Sequence, residues 1–208
     1  MRPRPHLAFL FFVVALSVQA SGQKQGQQYY IKPDQTADLA PETKLGTAKQ
    51  SCENWAMTAG LETMLQRQNV ALDQSFWIMR LNGGELCLDQ MPTIEALRSV
   101  VNRDFVLNDG RHVRLEIQFE PGPPVNVDPL IAGLKSHQVS LLLWRGHPYY
   151  LIGVTYDERI GRDGTRFFEV KEIRLANTYP KLPGVTFQKG RDDPAEIQGI
   201  LNVAVLPQ

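Results

Sequence analysis

The sequence predicts an α+β fold in which a helical half comes first and an antiparallel sheet comes second. Trp55, Ala56, Ala59 and Met64 recur at spacings of one, three and about five, and Leu97 and Val101 share a face with Ile94, which is typical of helices with one apolar face. After Asn102 the period changes to two, and residues 113–119 alternate strictly between apolar and polar side chains. A run of helices followed by a run of strands indicates two packed lobes in one α+β domain.

The first twenty residues are predicted to be a secretory signal peptide. Arg2 and Arg4 form a basic start, residues 7–18 are an apolar run too short to span a bilayer, and residues 18–20 have the small-x-small form of a cleavage site. Residues 21–48 are then expected to be an extended leader, in which residues 29–31 can add an edge strand. The mature protein is therefore predicted to be secreted or periplasmic, with no membrane association after the signal is removed.

The domain proper is predicted to span residues 49–208, with a helical lobe at about 49–104 and a sheet lobe at about 105–208. Three helices are expected in the first lobe. They cover residues 53–68, 73–80 and 92–101. Asn82-Gly-Gly84 is a typical end for the second helix, because glycine adopts the left-handed conformation that follows a helix.

The sheet lobe is predicted to contain five strands and one helix. Asp109-Gly110 and Asp163-Gly164 are expected to form turns beside strands. Asp128-Pro129 is expected to cap a short helix that ends near residue 137. The predicted strands cover residues 113–119, 139–144, 149–156, 165–176 and 201–206.

Charge and cysteine content narrow the classes of function. The chain has 22 Lys and Arg against 22 Asp and Glu, so no basic excess favours a nucleic-acid partner. Its two cysteines, Cys52 and Cys87, would meet an oxidising compartment, where an even number usually indicates a disulfide. Such a bridge would add about 4 kcal/mol to the stability. No metal or organic cofactor is expected.

Cys52 is nevertheless a candidate nucleophile. It stands at the start of the first predicted helix, where Ser51 or Cys52 would occupy the cap position. Unpaired backbone N–H groups and the positive end of the helix dipole stabilise an anion there, and a thiolate is such an anion. A half-cystine that precedes a core helix is the alternative interpretation.

His147 and Asn177 are the residues that could assist such a thiol. Gly146-His147-Pro148 opens an apolar strand, which places the imidazole at the mouth of the sheet. Asn177 ends a later strand, where its side chain could accept the Nδ1–H of a histidine and fix the tautomer. Each residue alone is better explained by a structural role, but Cys, His and Asn follow in the order that a thiol hydrolase uses.

Four short motifs resemble the papain-like cysteine peptidases, including their reduced bacterial relatives of the C39-like type. Asn54-Trp-Ala-Met-Thr-Ala59 is similar to the Cys-Trp-Ala-x-Ser-Ala helix start of that family. His147 with Gly153 six residues later is similar to its histidine strand. Asn177-Thr-Tyr179 is similar to its Asn-Ser-Trp, and residues 82–84 to its Asn-Gly-Gly segment. The resemblance covers residues 50–179 and implies a papain-like fold.

The resemblance implies two alternative alignments of the nucleophile. In one, Cys52 attacks a peptide carbonyl, His147 is the general base, Asn177 orients it and Gln50 donates to the oxyanion. In the other, Trp55 aligns with the family's tryptophan, so that Asn54 takes the nucleophile position. Cys52 then matches a structural cysteine paired with Cys87, and Gln50 fits this alignment better.

Two functions follow from these alignments. The first is an exported thiol hydrolase that cleaves peptide bonds by Cys-His-Asn covalent catalysis, with a peptide or protein as its substrate. The second is a catalytically inactive member of the same fold that binds a peptide or protein and carries a Cys52–Cys87 disulfide. Transfer of the acyl group to an amine instead of water is a variant of the first.

Overall fold

A computed structural model describes residues 29–45, 52–84, 87–179 and 181–208. It contains four α-helices and eight strands, and all strand pairs are antiparallel. The predicted α+β class is confirmed. The helices are α1 (Ala56–Gln66), α2 (Gln74–Asn82), α3 (Ile94–Val101) and α4 (Asp128–Lys135). The strands are β1 (Tyr30–Asp38), β2 (Arg103–Val106), β3 (His112–Pro121), β4 (Leu141–Trp144), β5 (His147–Ile160), β6 (Arg166–Asn177), β7 (Val185–Gln188) and β8 (Ile197–Pro207).

One sheet contains all eight strands: seven follow the order β2-β3-β8-β4-β5-β6-β7, and β1 is added beside β5. The first half of the long strand β5 pairs with β4, and its second half pairs with β1 on the same side. The last strand, β8, lies between β3 and β4. The sheet is therefore completed by the final segment of the chain.

Helix α1 packs on the middle of this sheet. The Tyr150 hydroxyl lies 2.8 Å from Thr63 Oγ1 and donates to the Ala59 carbonyl at 3.3 Å. A Cβ built on Gly60 would lie 2.3 Å from a methyl of Leu141, which is fully buried. Glycine is required at this position because it lets the helix backbone approach the strand.

The predicted helices are observed with small shifts at their ends, and the predicted glycine stop of α2 is present. Gly83 caps that helix in the left-handed conformation at φ 72°. The fourth helix differs in one detail, since Val127 occupies the cap position and Asp128 is already the first helical residue. Asp128 therefore does not cap the helix, and its carboxylate lies in the first turn.

Three strands differ from the sequence-based expectation. Strand β1 extends to Asp38, so that nine residues of the predicted leader belong to the sheet. Strands β2 and β7, of four residues each, were not predicted. Between Lys32 and Gln35 the register of β1 shifts, and Asp34 has φ 51°, so the bulge accommodates Pro33 within the strand. The predicted signal peptide lies outside the described residues.

Candidate functional site: a histidine–asparagine pair beside a disulfide

Cys52 and Cys87 are joined by a disulfide, with their Cα atoms 5.8 Å apart. This is the pairing that the family resemblance implied for the inactive alternative. The bond agrees with the half-cystine interpretation of Cys52. Attack on a carbonyl requires a thiolate and a disulfide sulfur is not one, so the nucleophile role stays a prediction for the reduced protein.

Cys52 occupies the cap position that the sequence predicted, but the element it caps is a 3₁₀ turn that runs directly into α1. It precedes the 3₁₀ turn Glu53–Trp55, and the cap position of α1 is taken by Trp55. The Cys52 side chain makes no cap hydrogen bond to the backbone N–H groups of this turn.

Asn54 has a structural contact in the same region. Its Nδ2 donates to the Leu88 carbonyl at 2.8 Å, and Leu88 follows Cys87 directly. The hydrogen bond and the disulfide thus tie the same two segments together. Asn54, which the second alignment put at the nucleophile position, holds a loop against the start of α1. Gln50, the predicted oxyanion donor, lies outside the described residues.

His147 and Asn177 are brought together, as the sequence predicted. The His147 Nε2 lies 3.4 Å from the Asn177 Oδ1. The same oxygen accepts the Tyr179 backbone N–H at 2.9 Å, which identifies it as the oxygen of the amide. The imidazole nitrogen facing it must then carry the proton, because the oxygen only accepts.

The nitrogen involved differs from the expectation. Asn177 was expected to accept the Nδ1–H of the histidine, whereas Nε2 makes the contact. The reason is the strand register: Tyr149, two residues after His147, is directly opposite Asn177 in β6. Asn177 therefore meets the outer nitrogen of the ring, and Nδ1 points away from the amide.

A tight turn fixes the position of His147. Trp144 and His147 are paired at the end of the β4–β5 hairpin, and Arg145 and Gly146 form the two-residue turn with φ 52° and 76°. Positive φ at both central residues is typical of a type I′ turn, which matches the twist of the strands. His147 consequently starts β5 in a fixed orientation.

Three aromatic and basic neighbours of His147 were not identified from the sequence. The Tyr149 ring packs edge-on against the imidazole, with centroids 4.6 Å apart, and Trp144 packs against Tyr149. The Arg145 guanidinium lies over the Trp144 ring at 4.6 Å. Burial raises the pKa of Tyr149, and the positive charge of Arg145 opposes this shift. The hairpin pairing of residues 144 and 147 would have indicated this cluster.

The direction of α1 can be read from its contacts with the sheet. Tyr150 touches the middle of the helix, and Gln68, beyond the helix end, donates to the Val203 carbonyl at 2.9 Å. Val203 lies farther from His147 along the sheet than Leu201, which is in register with Tyr150 through Leu141. The first turn of α1 therefore points toward the end of the sheet that carries His147.

His147 and Tyr150 nevertheless project from opposite faces. Side chains alternate along a strand, and Tyr150 points at α1, so His147 and Tyr149 emerge on the other side. Within the described residues His147 forms its side-chain contacts with Asn177 and Tyr149, and has no hydrogen bond to Cys52 or Asn54. The structure thus brings His147 and Asn177 of the predicted triad together, while Cys52 is bonded to Cys87.

No metal site accompanies the pair. The described segments contain no group of three or more His, Cys, Asp or Glu side chains that could hold a metal ion. In the same part of the chain, no helix has the length and apolar character needed to cross a membrane.

Comparisons with protein families, characterised proteins and solved structures gave no match for this chain. The functional proposal therefore depends on the residues described above. Among these, the disulfide and the His147–Asn177 pair carry the most chemical information.

Proposed function

We propose that this chain is an exported, catalytically inactive binding protein with a papain-like arrangement, which holds a peptide or protein segment beside His147 and Asn177. The observation that carries the proposal is the bond between Cys52 and Cys87. Covalent acyl transfer needs a free nucleophile next to its base. In this chain His147 contacts Asn177 and has a fixed orientation, but the Cys52 sulfur that would act as the nucleophile is bonded to Cys87.

The surroundings of His147 support binding. His147, Tyr149 and Asn177 are all half-buried, so that each presents part of its surface to solvent. Aromatic rings beside a polar donor and acceptor are common in binding sites, because the rings bury apolar area and the polar groups fix orientation. Arg145, which is exposed, adds a cation at the rim.

Export is supported by the same disulfide. Disulfides persist in secreted and periplasmic proteins and are rare in reducing compartments. The basic and apolar segment at residues 1–20 has the composition of a signal peptide. The two observations are independent of each other, and both favour an oxidising destination.

Counting free thiols tests the proposal directly. We expect the protein, denatured without reductant, to show no thiol that reacts with Ellman's reagent, and to show both cysteines after reduction. Two reactive thiols before reduction would contradict the bridge and with it the proposed function.

The thiol hydrolase is a second candidate, favoured specifically by the His147–Asn177 contact at 3.4 Å. It requires Cys52 as a thiol, and a matched pair of variants decides between the candidates. Cys87→Ser breaks the bridge and leaves Cys52 as a free thiol. Cys52→Ser also breaks the bridge but leaves no thiol at position 52, so it is the control. For a binding protein, we expect neither variant to cleave a fluorogenic peptide library. Cleavage by Cys87→Ser alone would favour the hydrolase. Circular dichroism of both variants checks that they fold.

A further inference from the structure

Strand β6 has an open outer edge along its first half. On its inner side it pairs with β5 from Arg166 to Asn177. On its outer side β7 pairs only with residues 172–175, and Lys189 N–H donates to the Lys171 carbonyl. In the described part of the chain, no strand pairs with the outer side of residues 166–170.

The hydrogen-bonding groups on this edge are arranged for another strand. Gly161 N–H donates to the Thr165 carbonyl at the start of the β5–β6 ladder. Because inward and outward residues alternate in an antiparallel ladder, residues 166, 168 and 170 direct their N–H and C=O groups outward. An extended polypeptide has the matching alternation of acceptors and donors.

A groove of about 530 Å³ runs beside this edge. One wall is the strand from Arg166 to Val170, and the other is the loop 124–128, whose last residue is the first of α4. The loop contributes mainly apolar side chains, and Val125 is 98% exposed. The wall of β6 contributes Phe168 and Val170, which are half-buried. A side chain that enters this groove therefore meets apolar groups from both walls, beside the charged side chains that also line it.

We propose that the outer edge of β6, from Arg166 to Val170, binds an extended peptide segment of another protein as an additional strand. Apolar side chains at alternate positions of the peptide lie between the strand and the loop 124–128. The loop stands beside the edge and leaves space for one extended chain, which favours a peptide over the sheet edge of a second folded copy.

Charge also defines the partner. The groove is lined by two cations, Arg166 and Lys189, and by two carboxylates, Asp128 and Glu169. Glu169 is already paired with Lys189 and with Arg159, and Arg166 lies 3.4 Å from Glu158. Because these charges balance, the fitting peptide has little net charge, and its polar positions face the paired ions.

This surface is distinct from the site of the proposed function. Asn177 lies seven positions after Val170 on the strand, which corresponds to about 23 Å at 3.3 Å per residue. Both surfaces lie on β6, but the edge proposal does not depend on the state of Cys52. The two proposals can therefore fail independently.

Fluorescence polarisation with a labelled, end-blocked hexapeptide of alternating threonine and valine tests the edge. We expect saturable binding to the full mature chain. Arg166→Pro removes one outward N–H at an edge where proline is tolerated, and Val125→Asp places a charge in the apolar wall. Each is expected to weaken binding at least about tenfold. Val106→Asp is the matched control, because this valine is 68% exposed on the distant edge strand β2, and binding should be unchanged.

Several results would overturn the proposal. They are the absence of saturable binding at millimolar peptide, or wild-type affinity in both Arg166→Pro and Val125→Asp. Loss of binding in His147→Ala with full binding in Arg166→Pro would place the peptide at the histidine–asparagine pair instead. A wild-type dimer that Arg166→Pro converts to a monomer in sedimentation would show that a second copy occupies the edge.

Discussion

Removal of the Cys52–Cys87 bridge is expected to lower the free energy of unfolding by roughly 4 kcal/mol. The cysteines are 35 residues apart in sequence. With a loop of that length, the chain-entropy relation gives about 12.7 cal/mol/K, or about 3.8 kcal/mol at 25 °C. Cys87 is exposed and Cys52 is half-buried, so replacing both with alanine removes little apolar burial. The loss should therefore come mainly from greater freedom of the unfolded chain.

Urea unfolding of the double variant Cys52→Ala/Cys87→Ala, followed by tryptophan fluorescence, measures this effect. Domains of this size are stable by about 5–15 kcal/mol, so the midpoint should move clearly. Wild-type protein with its bridge reduced is the control, and it should unfold at nearly the same urea concentration as the double variant. A loss below about 1 kcal/mol in both samples would refute the reasoning, because it would mean that the bridge does not constrain the unfolded chain.

Three further predictions concern the packing of Gly60 in α1, the buried Glu62 of the same helix, and the His147–Asn177 pair. Gly60→Ala should destabilise the protein by about 1–3 kcal/mol in the same urea assay, because the added methyl meets a buried leucine at 2.3 Å. Gly133→Ala, in a helix position whose nearest atom would lie at 3.4 Å, should be neutral or stabilising. Burial raises the pKa of Glu62 above its ordinary 4.5, so the unfolded chain loses this proton first. The free energy of unfolding should then fall as pH rises from about 4.5 to the raised pKa of the folded protein. Glu62→Gln should remove this fall from the plot of stability against pH. Nitrogen NMR should show neutral His147 protonated at Nε2, and Asn177→Ala should remove this preference.

The helices and the long strands could be predicted from the sequence because local patterns determine them. Residues 94–101 have the strongest apolar face among the helices, and Thr93 caps them through the Ala96 N–H. Asp163-Gly164 likewise identifies the β5–β6 turn, where Gly164 has φ 81°. Such signals lie within a few residues of the feature that they indicate.

The missed strands depend on distant partners. Strand β7 has four residues and gains its hydrogen bonds from β6, while β1 pairs with residues 153–160, more than a hundred positions later. Salt bridges that join β1 to the sheet, such as Asp38 with Arg174 and Asp34 with Lys171, are equally long-range. No local periodicity carries this information.

The candidate site likewise has features that the sequence predicts and features that depend on distant residues. The order of His147 and Asn177 on two strand ends predicts their meeting, since neighbouring antiparallel strands bring such ends together. Whether Cys52 is a thiol or a half-cystine depends on where Cys87 lies in space, and spacing along the chain leaves both states open. The aromatic neighbours required the exact hairpin pairing of Trp144 with His147.

The central place of β8 has a consequence for how the chain acquires its structure. Its neighbours, β3 and β4, are synthesised many residues earlier and have no hydrogen-bonded ladder with each other. Until residues 197–207 have been synthesised, the pair β2–β3 is not joined to the strands from β4 to β7. The apolar side chains between the two parts then stay exposed to water. Contacts of such long range slow folding. A sheet that cannot close before its last strand is made leaves the chain unfolded for longer after synthesis.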